Sequence, residues 1–214
     1  WLANVAASCE KILQEIRNLQ RSEIQEAGEG FDIKKQVGSS TMAHKKNPIK
    51  SENASGLARI VRSMIIPTYE NALLWHERDL ANSSSERFTL SHGSALCEDV
   101  INKTRQVLTN MWVDADRCLE NIKSQRGLVM AEKVMIELVE HGIPRDEAHE
   151  ILRSASFEAV DKKIELIDVC SRTPEIAAAF SAEELEAMFD PMNHIGVSGE
   201  IVDEAVNLAR LAVQ

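Results

Sequence analysis

The stretch Leu2-Ala-Asn-Val-Ala-Ala-Ser-Cys-Glu-Lys-Ile-Leu-Gln-Glu-Ile-Arg-Asn-Leu19 sets the fold. Leu2, Val5, Cys9, Ile12, Ile16 and Leu19 recur at spacings of three and four, a heptad-like stripe that predicts a helix packed in a bundle. The pattern fades at Gly28 and Gly30. Residues 29–47 carry two Gly, two Ser and four Lys with little apolar periodicity, which predicts a loop, mobile over about 32–47. Asn47-Pro48 then predicts a helix start, with Asn47 capping the free amides and Pro48 at the first helical position. Leu57, Ile60, Val61, Met64 and Ile65 form a 3.6-residue stripe, and Pro67 predicts a kink or break. Ser83-Ser-Ser-Glu86 has the form of a capping box, with Ser83 as the cap. It predicts a helix to about Trp112, roughly 40 Å long.

Beyond Asp114 the expected elements shorten. Gly142-Ile-Pro144 ends one helix and starts another, with Asp146 and Glu147 at the positive end of the new one. Thr173-Pro174 and Ser181-Ala-Glu-Glu184 mark two further starts, and Ser198 is expected to cap a last helix through Leu211. No alternating pattern long enough for a strand is present. The expected fold is all-α: long bundle helices over 1–112, then a smaller all-helical domain over 113–214.

Composition narrows the function. The chain of 214 residues is 44% hydrophobic and 27% charged, as a folded protein should be. Its formal charge of -10 disfavours general nucleic-acid binding, yet leaves room for a small basic pocket that takes an anionic metabolite. Cys9, Cys97, Cys118 and Cys170 have no ligand-like spacing and read as reduced, buried thiols, which points to the cytoplasm. No apolar run approaches the ~18 residues of a membrane span, and no signal-peptide pattern is present. The chain begins at Trp1 inside a helical pattern, so it is expected to be part of a longer protein.

The segment Val37-Gly-Ser-Ser-Thr-Met-Ala-His-Lys-Lys-Asn-Pro-Ile-Lys-Ser-Glu52 carries the chemistry. Two serines after a glycine precede a cation, an amide and a helix N-terminus, each able to handle a carboxylate. A Gly-Ser-Ser loop alone is usually a linker. Here Met42, Lys45, Asn47, Pro48 and Glu52 follow in register. Together they resemble the signature of the fumarase/aspartase superfamily, whose members eliminate fumarate from substituted succinates. The superfamily has Pro after the Met where this chain has Ala43. That change loosens the backbone and removes no functional group. The run Trp75-His-Glu-Arg-Asp-Leu-Ala-Asn-Ser-Ser-Ser-Glu-Arg87, with Gly142-Ile-Pro and Phe189-Asp-Pro, looks like the C-terminal half of the adenylosuccinate lyase family.

The resemblance implies roles at the matching positions. Ser39 would be the base that removes a proton next to a carboxylate, activated by water exclusion and nearby positive charge. Lys45 and Asn47 would bind the carboxylate on which charge builds. Glu52 would orient a partner histidine, and Ser40 and Met42 would contact substrate. Arg78 would bind a succinyl carboxylate, and Ser83 and Arg87 the nucleotide phosphate. Ser83 at a helix N-terminus with Arg87 one turn on is also an anion site on physical grounds. Arg78, within Glu77-Arg78-Asp79, would otherwise be a solvated ion pair, and Ser83 a structural cap only.

The family's general acid is a histidine in the N-terminal half, without a match here. Its active sites are shared among subunits of a homotetramer, so the chain by itself is expected to be nearly inactive. The implied partners are a purine nucleotide substrate (adenylosuccinate) and fumarate, with no cofactor, metal, nucleic acid or membrane. Two other readings stand beside this one: a carboxymuconate cycloisomerase-like enzyme and a non-catalytic helical assembly module.

Overall fold

The computed structural model describes residues 1–30 and 45–213. Ser39, Ser40, Met42, Ala43 and most of the expected loop therefore lie outside the described residues. Among the described residues the fold is all-α apart from one two-residue strand pair. The chain divides into two compact units, Trp1–Leu119 and Glu120–Gln214.

In the first unit, helices α1 (Leu2–Leu19), α2 (Ile49–Ser63) and α4 (Ala81–Asn110) pack together, with the short α3 (Ile65–Glu70) between the last two in sequence. One end of this group is built from Ala6, Ala58, Val61, Cys97 and Val100, the other from Leu13, Ile16, Ala54 and Val107. Chain direction follows: α1 and α4 run from the first end to the second, and α2 returns.

The buried faces differ from the expected stripes. On α1, Leu13 is fully buried while Ile12 is exposed. The 3.6-residue turn drifts off a strict heptad, so the inward position moves by one residue. On α2, the inward face is Ser51, Ala54, Ser55, Ala58 and Val61, whereas Ile60 is exposed, as is Ile65 at the start of α3. Small side chains bring backbones close, and the buried Ser55 hydroxyl donates to the Ser51 carbonyl at 2.7 Å, so no polar atom is stranded there. The break expected at Pro67 falls at Met64, between α2 and α3. Pro67 has no N–H for the Ser63 carbonyl, which ends the ladder four residues upstream.

Two helix starts are corrected. Pro48, not Asn47, is the N-cap of α2, and it offers no side-chain cap. Helix α4 starts at Ala81, two residues before Ser83, and spans about 45 Å at its 30 residues.

One short strand pair lies beside the helices. β1 (Ala27–Gly28) pairs antiparallel with β2 (Trp112–Val113), Gly28 opposite Trp112. Two residues cannot show alternation in a sequence. The glycines did mark the place: a Cβ at Gly28 would stand 2.6 Å from the Trp112 ring, and one at Gly30 would stand 2.2 Å from the Asn110 carbonyl oxygen. Only glycine allows this approach.

In chain order, α5 (Ala115–Ser124) contains the division between the two units. The second unit continues with α6 (Ala131–Glu140), α7 (Arg145–Lys162), α8 (Leu166–Cys170), α9 (Pro174–Ala179), α10 (Ala182–Phe189) and α11 (Ser198–Val213). The starts expected at Pro144, Thr173 and Ser181 are all observed. Ser198 is instead the first helical residue of α11, its hydroxyl donating to the Ile195 carbonyl.

Val134, Leu138, Leu152, Leu166 and Ile176 anchor one apolar core, whereas α11 buries no residue. Cys97 and Cys170 are buried, Cys9 and Cys118 half-buried, and all four are free thiols. Burial pushes the Cys170 thiol up to about 11.

Two predictions follow from this unit. Leu138 has no exposed surface, so Leu138→Ala should cost about 2–5 kcal/mol in urea unfolding followed by circular dichroism. The Ser181/Glu184 capping box is complete, with Glu184 N–H on the Ser181 hydroxyl at 3.2 Å and Ser181 N–H on the Glu184 carboxylate at 2.8 Å. The backbone N–H of Ser181, then its hydroxyl, holds the Glu184 carboxyl below the usual range. A depressed folded-state value gives stability that is present above the unfolded pKa and lost as pH falls through the folded one. The Tm gap between wild type and Glu184→Ala should therefore be widest near neutral pH and narrow below about pH 4.

Candidate active site

An open concavity of about 990 Å³ lies in the first unit. Lys45, Asn47 and Glu52 line it, as do Arg17 in the last turn of α1 and Arg21 just beyond the end of that helix. Among its described lining residues Arg17, Arg21, Lys45 and Lys46 stand with a single carboxylate, Glu52. A chain of net charge -10 has thus gathered cations at one concave place, as an anionic substrate requires. Sequence reasoning missed Arg17 and Arg21. Gln14, Arg17, Asn18 and Arg21 recur at helical spacing, and this polar face opposite the apolar stripe was a readable signal.

The start of α2 is built from outside the helix. Its N-cap, Pro48, has no side-chain acceptor. The Ile49 N–H goes to the Asn47 carbonyl at 2.9 Å. The next two amides, Lys50 and Ser51, donate to the two oxygens of Glu29 at 3.1 and 3.0 Å. The Ser51 hydroxyl adds a bond to the same carboxylate at 2.9 Å. The expectation that this N-terminus handles a substrate carboxylate is therefore corrected: these two amides already hold a buried acidic side chain.

Ser83 and Arg87 lie elsewhere. The Ser83/Glu86 capping box does not form. Ser83 N–H bonds to the Leu80 carbonyl at 3.1 Å, and Glu86 instead accepts from the Asn82 amide at 3.0 Å. Asp79 starts α4, accepting from Ala81 N–H at 2.8 Å and from Trp75 N–H at 3.1 Å. Those two backbone bonds, Ala81 first, hold its carboxyl below the usual range. Arg78 and Arg87 are exposed, and Ser83 is half-buried one turn before Arg87.

This group sits beyond Gly93, which faces Met64 and Leu2 at the first end of the helices. Lys45, Asn47 and Glu52 sit at the second end, near Val107. Along α4, the stretch from Arg87 to Val107 alone covers about 30 Å. Within one chain the structure does not bring Ser83 and Arg87 to Lys45, Asn47 and Glu52.

Residues 127–205 match the family model described as "Adenylosuccinate lyase C-terminus", and residues 1–63 match one described as "Lyase". The curated adenylosuccinate lyase of Archaeoglobus fulgidus is 42% identical over 206 residues, covering 96% of this chain and 46% of that protein. Over nearly its whole length the chain is similar to adenylosuccinate lyases. The Streptococcus mutans adenylosuccinate lyase is 36% identical over 202 residues, 94% of this chain and 46% of its own length. The chain thus spans about half the length of the curated relatives it matches. Among solved structures, the 3-carboxy-cis,cis-muconate lactonizing enzyme of Pseudomonas putida superposes with a TM-score of 0.83 at 30% identity, covering 96% of this chain and 45% of that one. A fumarate lyase from Mesorhizobium gives 0.84 at 29% identity, with the same coverage.

The start of α4 gives a direct test. Asp79→Ala should lower Tm measurably, whereas Ser83→Ala should leave it within error. A larger loss from Ser83→Ala would restore the serine as the cap.

Proposed function

We propose that this chain supplies the charge-stabilising and phosphate-binding parts of an enzyme that eliminates fumarate from adenylosuccinate, giving AMP. The same enzyme would act on the succinyl-carboxamide ribotide of purine synthesis. The observation that carries this reading is the agreement with adenylosuccinate lyases across 96% of the chain. The cationic concavity around Lys45 and Asn47 supports it.

In this reading Ser39 takes the proton from the carbon beside a carboxylate, and the electron pair moves onto that carboxylate. Lys45 and Asn47 hold the resulting charge. Collapse of the intermediate breaks the C–N bond, and a histidine from outside this chain protonates the leaving nitrogen. Glu52 orients a site histidine. Ser40 and Met42 contact the substrate, Arg78 its succinyl carboxylate, and Ser83 and Arg87 its phosphate.

Because the two groups of residues stand at opposite ends of the helices, a full site needs one copy's Ser83 and Arg87 beside another copy's Lys45 and Asn47. That geometry supports the shared-site homotetramer, as do the exposed apolar side chains Ile66, Tyr69, Leu73 and Leu90. Cytoplasmic purine metabolism is the setting. No helix among the described residues is long and apolar enough to cross a membrane.

A cycloisomerase-like reaction is the second reading, favoured by the superposition on the Pseudomonas putida enzyme. The test is the fall in ultraviolet absorbance as the complete gene product cleaves adenylosuccinate, with AMP as competitor. Cleavage inhibited by AMP supports the first reading. Turnover of a carboxymuconate with indifference to AMP supports the second. Ser39→Ala should lower kcat by about 10²–10⁴-fold with substrate affinity still measurable, and near-normal turnover would refute Ser39 as the base.

A further inference from the structure

We propose that Glu29 and Gln20 are positioning residues for the site, setting the backbone that carries Lys45, Asn47 and Glu52. The proposal rests on the lyase reading above for its kinetic consequence, though not for its geometry. Glu29 is an acidic side chain only 4% exposed, and its carboxylate accepts the Lys50 and Ser51 amides and the Ser51 hydroxyl. Together with the Ile49 to Asn47 bond, this satisfies every N–H of the first turn of α2 that the helix itself leaves open.

Gln20 performs the matching task one step away. Its carboxamide oxygen accepts the Glu29 N–H at 2.8 Å, and its amide nitrogen donates to the Lys46 carbonyl at 3.0 Å. One side chain thus ties position 29 to position 46, the flanks of the serine-bearing segment. Position 29 is held in turn by the Gly28–Trp112 pairing and the tight fit of Gly30 on Asn110. The backbone of residues 46–51 therefore has fixed supports outside its own helix, and the side chains on either side of it inherit that placement. Groups that stabilise a developing charge lose most of their effect when displaced by about an ångström.

Glu29→Gln keeps the shape but replaces one acceptor oxygen by an NH2 that faces N–H groups. Lys45 and Asn47 act on the charged intermediate, so kcat for adenylosuccinate should fall about 10–100-fold with KM changed little. Gln20→Ala, at a half-buried position, should lower kcat in the same sense by less and protects the test against a misfolded Glu29 variant. Assays are run well below each variant's Tm. The second readout is amide hydrogen exchange by mass spectrometry, which needs no activity. Exchange over 45–52 should accelerate in both variants, while peptides from α6 and α7 keep wild-type rates.

Loss of kcat with local acceleration supports the proposal. Wild-type kcat in a folded variant, or exchange that rises equally across the chain, overturns it. If the wild-type protein leaves adenylosuccinate intact, the lyase reading fails, and the local exchange result still decides whether Glu29 and Gln20 hold this segment.

Discussion

Helix α2 lies against both α1 and α4 through Ser51, Ala54, Ser55 and Ala58, and much else depends on that close contact. Small side chains permit backbone proximity but bury little apolar area each, so the larger residues of α2 are free to face outward. Ile49 and Ile60 do so. The contact also fixes which end of α2 meets which part of α4, and therefore where every candidate site residue stands. With α2 antiparallel to both neighbours, its N-terminus must be at the Val107 end and the start of α4 at the other. A site using both ends is beyond the reach of one copy.

The electrostatics follow from the same arrangement. An acidic chain presents Arg17 on the last turn of α1 and Arg21 just beyond it, lining one concavity with Lys45 and Lys46, which concentrates positive charge there. The partial positive charge at the N-terminus of α2 adds nothing there, because Glu29 has already taken the open amides. The positive charge of the concavity thus comes from side chains, while the helix end serves as a structural fixture. The Ser181/Glu184 box in the second unit solves the same problem locally, within four residues, where α2 needs an acceptor from 21 residues upstream.

Much of this was legible in the sequence. Helix starts signalled by local chemistry at Pro144, Thr173 and Ser181 appeared where they were expected. The pattern at Ser83-Ser-Ser-Glu86 was equally good, yet Asp79 captured the start of α4 two residues earlier with a stronger acceptor. Lys45, Asn47 and Glu52 were named from their match to a family signature, and all three line one concavity. Glu29 and Gln20 could not be named, because their partners are 21 and 26 residues away and no local pattern encodes them.

By itself the sequence determined the all-helical class, the positions of most breaks and the residues of the signature, because periodicity, caps and motif register are local properties of the chain. Only the tertiary structure decided which face of each helix is inward, that Glu29 closes the N-terminus of α2, and that Ser83 and Arg87 stand about 30 Å of helix from Lys45, Asn47 and Glu52. These depend on packing between segments distant in sequence, where a shift of one residue or the presence of one buried carboxylate changes the outcome without changing any local pattern.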